Sequence, residues 1–378
     1  MAASAGVTDP APAAAATGGR ARLRENWERL TAPGRVAGVD LARGLAVIGM
    51  LAAHLLWLEE PVVLFDPSSW AAVAAGRSSI LFATLAGVSM GIVSGGATPV
   101  RGDSLRRARG RLAVRAGILF ALGFVFVALS LPVVVILPAY ALMFVVALPF
   151  LPLRAPALFA IAAALAVVTP FIHAGLDRLP FARTVVGHDL GLLVGWHYPF
   201  LVWIAFVLAG LAVARAGVAR LRVQLWMLAG GSALAVLGYG LGTTGAPRSA
   251  EAGSYWADVW TARAHSSGLL EVIGSGGFAL ATLAVCLLVC RTPLKWVVLP
   301  VRATGAMPLT AYVGQLVALA VALAVSFGEL SALGALRDRD PFWAFALVTV
   351  VACTAWALLV GRGPLEWLTH RVERAAAR

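Results

Sequence analysis

The chain has 378 residues, 60% of them hydrophobic and only 13% charged, with a formal net charge of +12 and a mean hydropathy of +0.87. That balance excludes an ordinary water-soluble domain, and no segment outside the apolar runs has the length and periodicity to bury a core of its own. The basic residues sit in short loops and at the two ends, a distribution that points to membrane orientation and not to nucleic-acid binding.

In chain order, residues 1–34 open with an Ala/Gly/Pro/Thr tract and continue through Arg20, Arg22, Arg24 and Arg29. They contain no apolar core for a cleaved signal peptide and read as a disordered, basic cytoplasmic tail lying against anionic headgroups. Residues 35–361 then carry ten apolar runs of roughly membrane-spanning length. They lie at 36–58, 78–97, 112–130, 133–150, 155–174, 198–214, 223–243, 267–290, 306–327 and 341–360. Residues 362–378 form a second basic, amphipathic cytoplasmic tail.

This is an all-α, polytopic integral membrane protein of about ten transmembrane helices, whose partner is the lipid bilayer. With both termini cytoplasmic, about 21 of the 30 basic residues fall on the cytoplasmic side and about six in the external loops. The external segments 59–77, 175–197, 244–266 and 328–340 hold most of the polar chemistry, among it Glu59, Glu60, Asp66, His188, His197, Asp258 and His265. Their Trp and Tyr residues have a plain use as interfacial anchors.

Three ionisable residues interrupt the first span. The eleven steps from Arg43 to His54 close roughly three helical turns, which places both on nearly one face about 16 Å apart along the axis. Asp40 falls on the same stripe and, three residues before Arg43, is placed to hold its guanidinium. Such a stripe must face protein or a water-filled cavity, because a charge facing lipid costs roughly 2.5 to 3.5 kcal/mol.

A histidine near neutral pKa takes a proton from a hydroxyl or amine and returns it, so each of the six is a candidate base. Only His54 has an aligned intramembrane arginine. His173 and His370 read as interface residues; His197 enters a span in Trp196-His197-Tyr198-Pro199, and His265 precedes Glu271 by six residues, a spacing that does not imply a direct pair. Glu271 also suits the positive end of the helix it begins.

On the cytoplasmic side, Arg106 and Arg107 sit in a dense basic loop and Arg302 opens the ninth span, groups suited to an anionic nucleotide. Positive-inside orientation is the stronger explanation of them. There is no phosphate-binding P-loop, no dinucleotide fingerprint and no nucleophile elbow. Cys286, Cys290 and Cys353 lie within apolar spans without metal-ligand spacing, so no metal site is expected.

The run Arg35-Val36-Ala37-Gly38-Val39-Asp40-Leu41-Ala42-Arg43-Gly44, followed by Met50, His54 and Leu85-Ala86-Gly87, resembles the opening of the transmembrane acyltransferase superfamily. Further along, Ala209-Gly210-Leu211-Ala212, Ala264-His265-Ser266, Gly305-Ala306-Met307-Pro308 and Gly361-Arg362-Gly363-Pro364 are similar to the YeiB-like bacterial membrane proteins. That group is related to heparan-α-glucosaminide N-acetyltransferase and, more remotely, to acyltransferase type 3 proteins. The likeness runs from about residue 35 to 370.

The resemblance implies a multi-pass plasma (inner) membrane enzyme that takes an acyl group, commonly acetyl, from cytoplasmic acetyl-CoA or another acyl-CoA. Its acceptor would be an extracytoplasmic glycan, lipid or small molecule. It implies catalytic roles for His54, Arg43 and Asp40, with His265 of second rank, and cofactor contacts from Arg43, Arg106, Arg107 and Arg302. One departure stands out: the segment Phe65-Asp66-Pro67-Ser68-Ser69-Trp70 resembles the loop that carries the catalytic histidine in the glucosaminide branch, and here it holds none. Gln315 likewise stands where a histidine is half expected. A proton-coupled transporter, which the charged stripe of the first span also suits, and a non-catalytic envelope partner are the rival readings. Oligomeric state is not readable, and a homodimer stays open.

Overall fold

The computed structural model describes residues 11–58, 62, 65–243 and 253–376. Glu59, Glu60 and residues 244–252 of the external segments lie outside them. The protein is all-helical, 77% helix, with no strand among the described residues. In order the helices are α1 (Ala11–Thr31), α2 (Ala37–Leu55), α3 (Arg77–Val93), α4 (Gly102–Ala128), α5 (Leu137–Ala147), α6 (Ala155–Leu176), α7 (Val185–Val194), α8 (Phe200–Ala216) and α9 (Leu221–Thr243). They continue as α10 (Tyr255–Val259), α11 (Leu269–Val289), α12 (Leu294–Val297), α13 (Leu299–Gly305), α14 (Pro308–Phe327), α15 (Leu333–Arg337), α16 (Phe342–Leu359) and α17 (Pro364–Ala376).

Among the described residues eight helices are long and apolar enough to cross a membrane, and shorter apolar helices, Leu137–Phe150 and Phe200–Ala216, occupy the other two places where the sequence predicts a span. Local chemistry sets their ends. Pro138, Pro156, Pro300 and Pro308 stand in first turns, where a missing N–H costs nothing. Gly195, Gly217 and Gly328 end α7, α8 and α14 in the left-handed conformation.

The short α8 is the centre of the bundle, with Val202, Trp203 and Leu208 buried on different sides of it. Apolar attraction does not hold helices together in lipid, so close packing must. A Cβ on Gly87 of α3 would lie 1.8 Å from the carbonyl of Val207, and one on Gly210 of α8 would lie 1.9 Å from that of Thr84. The two backbones therefore touch. On the other side of α3, α2 carries the charged stripe, and α13 leans on α2 so tightly that a Cβ on Gly305 would lie 1.8 Å from the Asp40 carbonyl.

Helices α1 and α17 both pack at the Arg43 end of the bundle. In α1, Asn26 Nδ2 donates to the Leu358 carbonyl at 2.9 Å, Arg29 to that of Ala357 at 3.2 Å, and Trp27 stacks on Trp296. From α17, Glu366 accepts the N–H groups of Leu309 (2.7 Å) and Thr310 (3.2 Å), capping the start of α14, while Glu373 takes Arg115 at 2.8 Å. Arg215 is also turned inward, clamping the carbonyls of Gly91, Gly96 and Leu151 at 2.6–2.9 Å.

Candidate active site at the two ends of the first membrane helix

At one end of α2 the stripe is an ion network. Arg43 donates Nη1 to Asp40 Oδ1 at 3.3 Å and Nη2 to Ser89 Oγ of α3 at 2.6 Å, and Arg35 pairs with the other Asp40 oxygen. Asp40 is 4% exposed, so a carboxylate at that depth stands only because two guanidiniums neutralise and hydrogen-bond it. Arg115 and Glu366 add to the field at Arg43.

At the other end His54 lines a cavity of about 200 Å³ together with His197, His265, Ser79, Tyr198, Tyr312 and Arg337. The His197 and His265 rings lie 4.9 Å apart, and Tyr198 stands edge-on to both, at 5.1 Å and 5.5 Å. The Tyr312 hydroxyl accepts the Ile136 N–H at 3.4 Å. Arg337 closes the C-terminus of α2, donating to the carbonyls of His54 at 2.9 Å and Ala53 at 3.4 Å. Among the described residues no three His, Cys, Asp or Glu side chains are grouped so as to hold an ion.

The loop before α11 is what presents His265. The Glu271 carboxylate, in the first turn of α11 and 2% exposed, accepts the main-chain N–H of His265 at 2.7 Å, that of Ser267 at 2.6 Å and the Ser266 hydroxyl at 3.1 Å. It thus folds the loop back on the helix start, with His265 and Ser267 both at positive φ, 60° and 53°. Glu271 works on the backbone of His265, consistent with the six-residue spacing that implied no direct side-chain pair. The His265 ring nitrogen Nδ1 is buried with no hydrogen-bond partner among the described residues. Burial, then the neighbouring His197 and His54, pushes its pKa down to about 4, so the ring is neutral at physiological pH.

A second, larger cavity of about 1410 Å³ opens beside the first and shares Pro132, Val133, Val134, His197 and His265 with it. The two spaces meet at the His197/His265 pair.

The remaining predicted residues are placed at the Arg43 end. Arg106 and Arg107 are exposed on the first turns of α4, paired with Asp103 and with Ser104 of the same helix. Arg302 is 4% exposed and spends its guanidinium on the carbonyls of Lys295 (2.8 Å) and Leu30 (3.4 Å), with Nε unpartnered among the described residues. It ties α13 to the end of α1 and offers no open face to a phosphate.

Sequence reasoning ranked His197 low and left Ser79, Tyr312 and Arg337 out of the site. His197 had a signal in the Trp-His-Tyr-Pro entry to a span. Arg337 had none, being one of several charges in an external loop.

A many-helix membrane protein with a buried arginine network at one end of a helix and an imidazole-lined cavity at the other is the class these features define. Residues 35–241 match the family heparan-alpha-glucosaminide N-acetyltransferase, catalytic, and residues 219–375 match a protein family of unknown function, DUF418, which is YeiB-like. The first match spans more than half of the 378 residues, and the chain belongs to this family of membrane acetyltransferase-like proteins. No curated protein matches it.

Proposed function

We propose that the protein transfers an acyl group, acetyl in the first instance, from acyl-CoA at the Arg43 end of α2 to a hydroxyl or amine acceptor at the His54 end. The observation that carries this reading is the convergence of His54, His197 and His265 on one cavity at the far end of the helix that bears Arg43. It sits in the plasma membrane with both termini cytoplasmic, so donor and acceptor approach from opposite sides.

The donor's phosphates fit the Arg43 end, where Arg106, Arg107, Arg111 and Arg362 are exposed. Arg111, Arg362 and Arg374 also crowd His370, whose pKa is lowered by burial first and by these arginines second. Arg302 contributes by fixing α13 and not by touching phosphate. Arg43, fixed by Asp40 and Ser89, lies between that basic surface and the cavity.

Acyl transfer needs a base for the acceptor proton and an acid for the departing thiolate. Neutral His265, with His197 against it, takes the acceptor's proton as the oxygen or nitrogen attacks the thioester carbonyl. The carbon–sulfur bond breaks, and the CoA thiolate leaves with a proton. His54, on the helix that leads from Arg43, faces the thioester and serves either as the proton carrier or as a transient acyl acceptor.

The test is purified protein with radiolabelled acetyl-CoA, followed for binding, hydrolysis and label transfer, beside His54→Ala and Arg43→Ala. Turnover in the wild type and its loss in His54→Ala is the expected result. A wild type that neither binds nor consumes any acyl-CoA, yet moves solute across sealed vesicles, overturns the reading in favour of a transporter.

A further inference from the structure

The larger cavity is divided by polarity. One wall comes from the end of α4, the turn that follows it and α7, and is mostly apolar, with Phe126, Leu131, Val134, Leu190 and Val194 beside Ser130 and His188. The opposite wall, from the end of α6 and the loop leading to α11, carries His173, Asp177, Asp258, Arg263 and Ser266. The histidine pair stands where these walls meet the smaller cavity. At about 1410 Å³ the space exceeds the roughly 300–1,000 Å³ usual for a drug-sized ligand.

The polar wall is built, not incidental. Trp196 donates its indole N–H to Asp177 at 2.7 Å, and Asp177 also faces His173 Nε2 at 3.4 Å. His173 is 7% exposed and fixed by Asp177, so the wall it helps to line is held in place. The apolar wall is thin. The ten residues of α7 reach only about 15 Å, half of a hydrocarbon core of about 30 Å, so α7 cannot span. Leu190 and Val194 line the cavity beside His188, while Val185 and Val186 are 77% and 61% exposed. Thr184 and the left-handed Gly195 fix its two ends.

We infer that the acceptor is an amphiphile: a lipid whose hydrocarbon chain seats between α4 and α7 and whose hydroxyl- or amine-bearing headgroup lies on the His173/Asp177 wall, with the reacting atom at His197 and His265. The inference rests on the acyl-transfer reading for its chemistry and on the cavity alone for its ligand. A free sugar would leave the mostly apolar wall against water, whereas a simple hydrocarbon would lie against the His173, Asp177 and Arg263 side chains. The transfer balances as acyl-CoA plus lipid alcohol or amine giving the lipid ester or amide plus CoA thiol.

The test uses the full chain in lipid nanodiscs and dodecyl glucosaminide bearing a photoreactive diazirine at the end of its chain, without any acyl donor. Labelling is expected within residues 126–135 and 185–196, competed by unmodified dodecyl glucosaminide and not by glucosamine. Leu190→Glu should abolish the competed label, and Leu190→Trp, which fills the seat without charging it, should do the same if the first variant fails to fold. With acetyl-CoA added, KM is expected to fall at least 100-fold from methyl to octyl glucosaminide. Label spread over the lipid-facing helices without competition, or equal KM for the two glycosides, overturns the inference while leaving acyl transfer intact. Competed label without transfer to any acceptor leaves the lipid seat standing and removes the acyl-transfer reading.

Discussion

Glu271 holds the main-chain N–H of His265 at 2.7 Å, and by that bond keeps His265 at φ 60° with its ring 4.9 Å from His197. A carboxylate six residues away thus sets the direction of an imidazole it does not touch through the side chain.

Removing Glu271 should therefore disturb catalysis through position. Glu271→Ala leaves the N–H groups of His265 and Ser267 without their acceptor, at about 1.5–3 kcal/mol for each hydrogen bond to a charged group. The expected outcome is a kcat reduced tenfold or more with the KM for acetyl-CoA nearly unchanged, because the donor end of α2 is remote. Glu271→Gln keeps one carbonyl acceptor and should recover part of the rate. Steady-state kinetics of the two variants decide it; a raised KM with unchanged kcat would mean that Glu271 belongs to donor binding.

The histidines should act as one unit. His54 and His265 line the same cavity, so each single alanine substitution is expected to lower label transfer by about 10²-fold or more, the range of general acid–base groups. The double variant should be no worse than about tenfold beyond the poorer single one. Full additivity of the two losses would place them in separate steps, and activity surviving His54→Ala would take His54 out of the proton and acyl path while leaving His265, with His197, as the base.

The pH dependence has a defined sign. His265 titrates at about 4 against an ordinary value near 6.5, because burial and two neighbouring imidazoles disfavour its cation. The neutral base persists as pH falls from 7 to 5, so kcat/KM should hold a plateau through that range and drop only as pH approaches 4. In the same window the unfolded state binds the proton that the folded state refuses. Stability should therefore decline as pH falls from about 6.5 to 4. Thermal unfolding across this window, wild type beside His265→Asn, should show a shallower decline in the variant.

Much of this was legible in the sequence, and the parts that were not have physical reasons. The Asp40, Arg43 and His54 stripe follows from helical periodicity and the cost of charge in lipid, and all three lie where that reasoning places them, at the two ends of α2. The ten apolar runs are ten helices, two of them short. Long-range pairing was out of reach. Nothing in the spacing joins Arg337 to the carbonyl of His54, 283 residues away, or brings Glu366 to the start of α14. Arg302 looked like a phosphate ligand because it opens a span, but its partners are carbonyls that only the fold supplies. The basic segment that follows the Ala-rich beginning read as lying on headgroups; its Asn26 and Arg29 fasten α1 to the end of α16.

The arginine network should distinguish fork from charge. Arg43 engages Asp40 and Ser89 with separate guanidinium nitrogens, which a lysine cannot reproduce. Arg43→Lys is expected to raise the KM for acetyl-CoA about tenfold, and Ser89→Ala by a smaller factor, with the methyl-to-octyl acceptor preference unchanged in both. Loss of acceptor preference instead would place Arg43 at the wrong end of the reaction path.

The packing of α13 on α2 gives the sharpest structural test. A Cβ on Gly305 would lie 1.8 Å from the Asp40 carbonyl oxygen and 2.6 Å from the Gly44 nitrogen, all backbone atoms that cannot rotate away. Gly305→Ala must therefore push α13 off α2 at the residue that anchors Arg43, an overpacking worth about 1–3 kcal/mol or more. Gly314, in the interior of α14, has nothing within 4 Å of its Cβ position, so Gly314→Ala should gain the helix-propensity difference of about 1 kcal/mol. Thermal unfolding in one detergent should show the first variant melting below wild type and the second at or above it. Acetyl-CoA KM should rise only in the first, because only there does the shift reach Asp40 and Arg43.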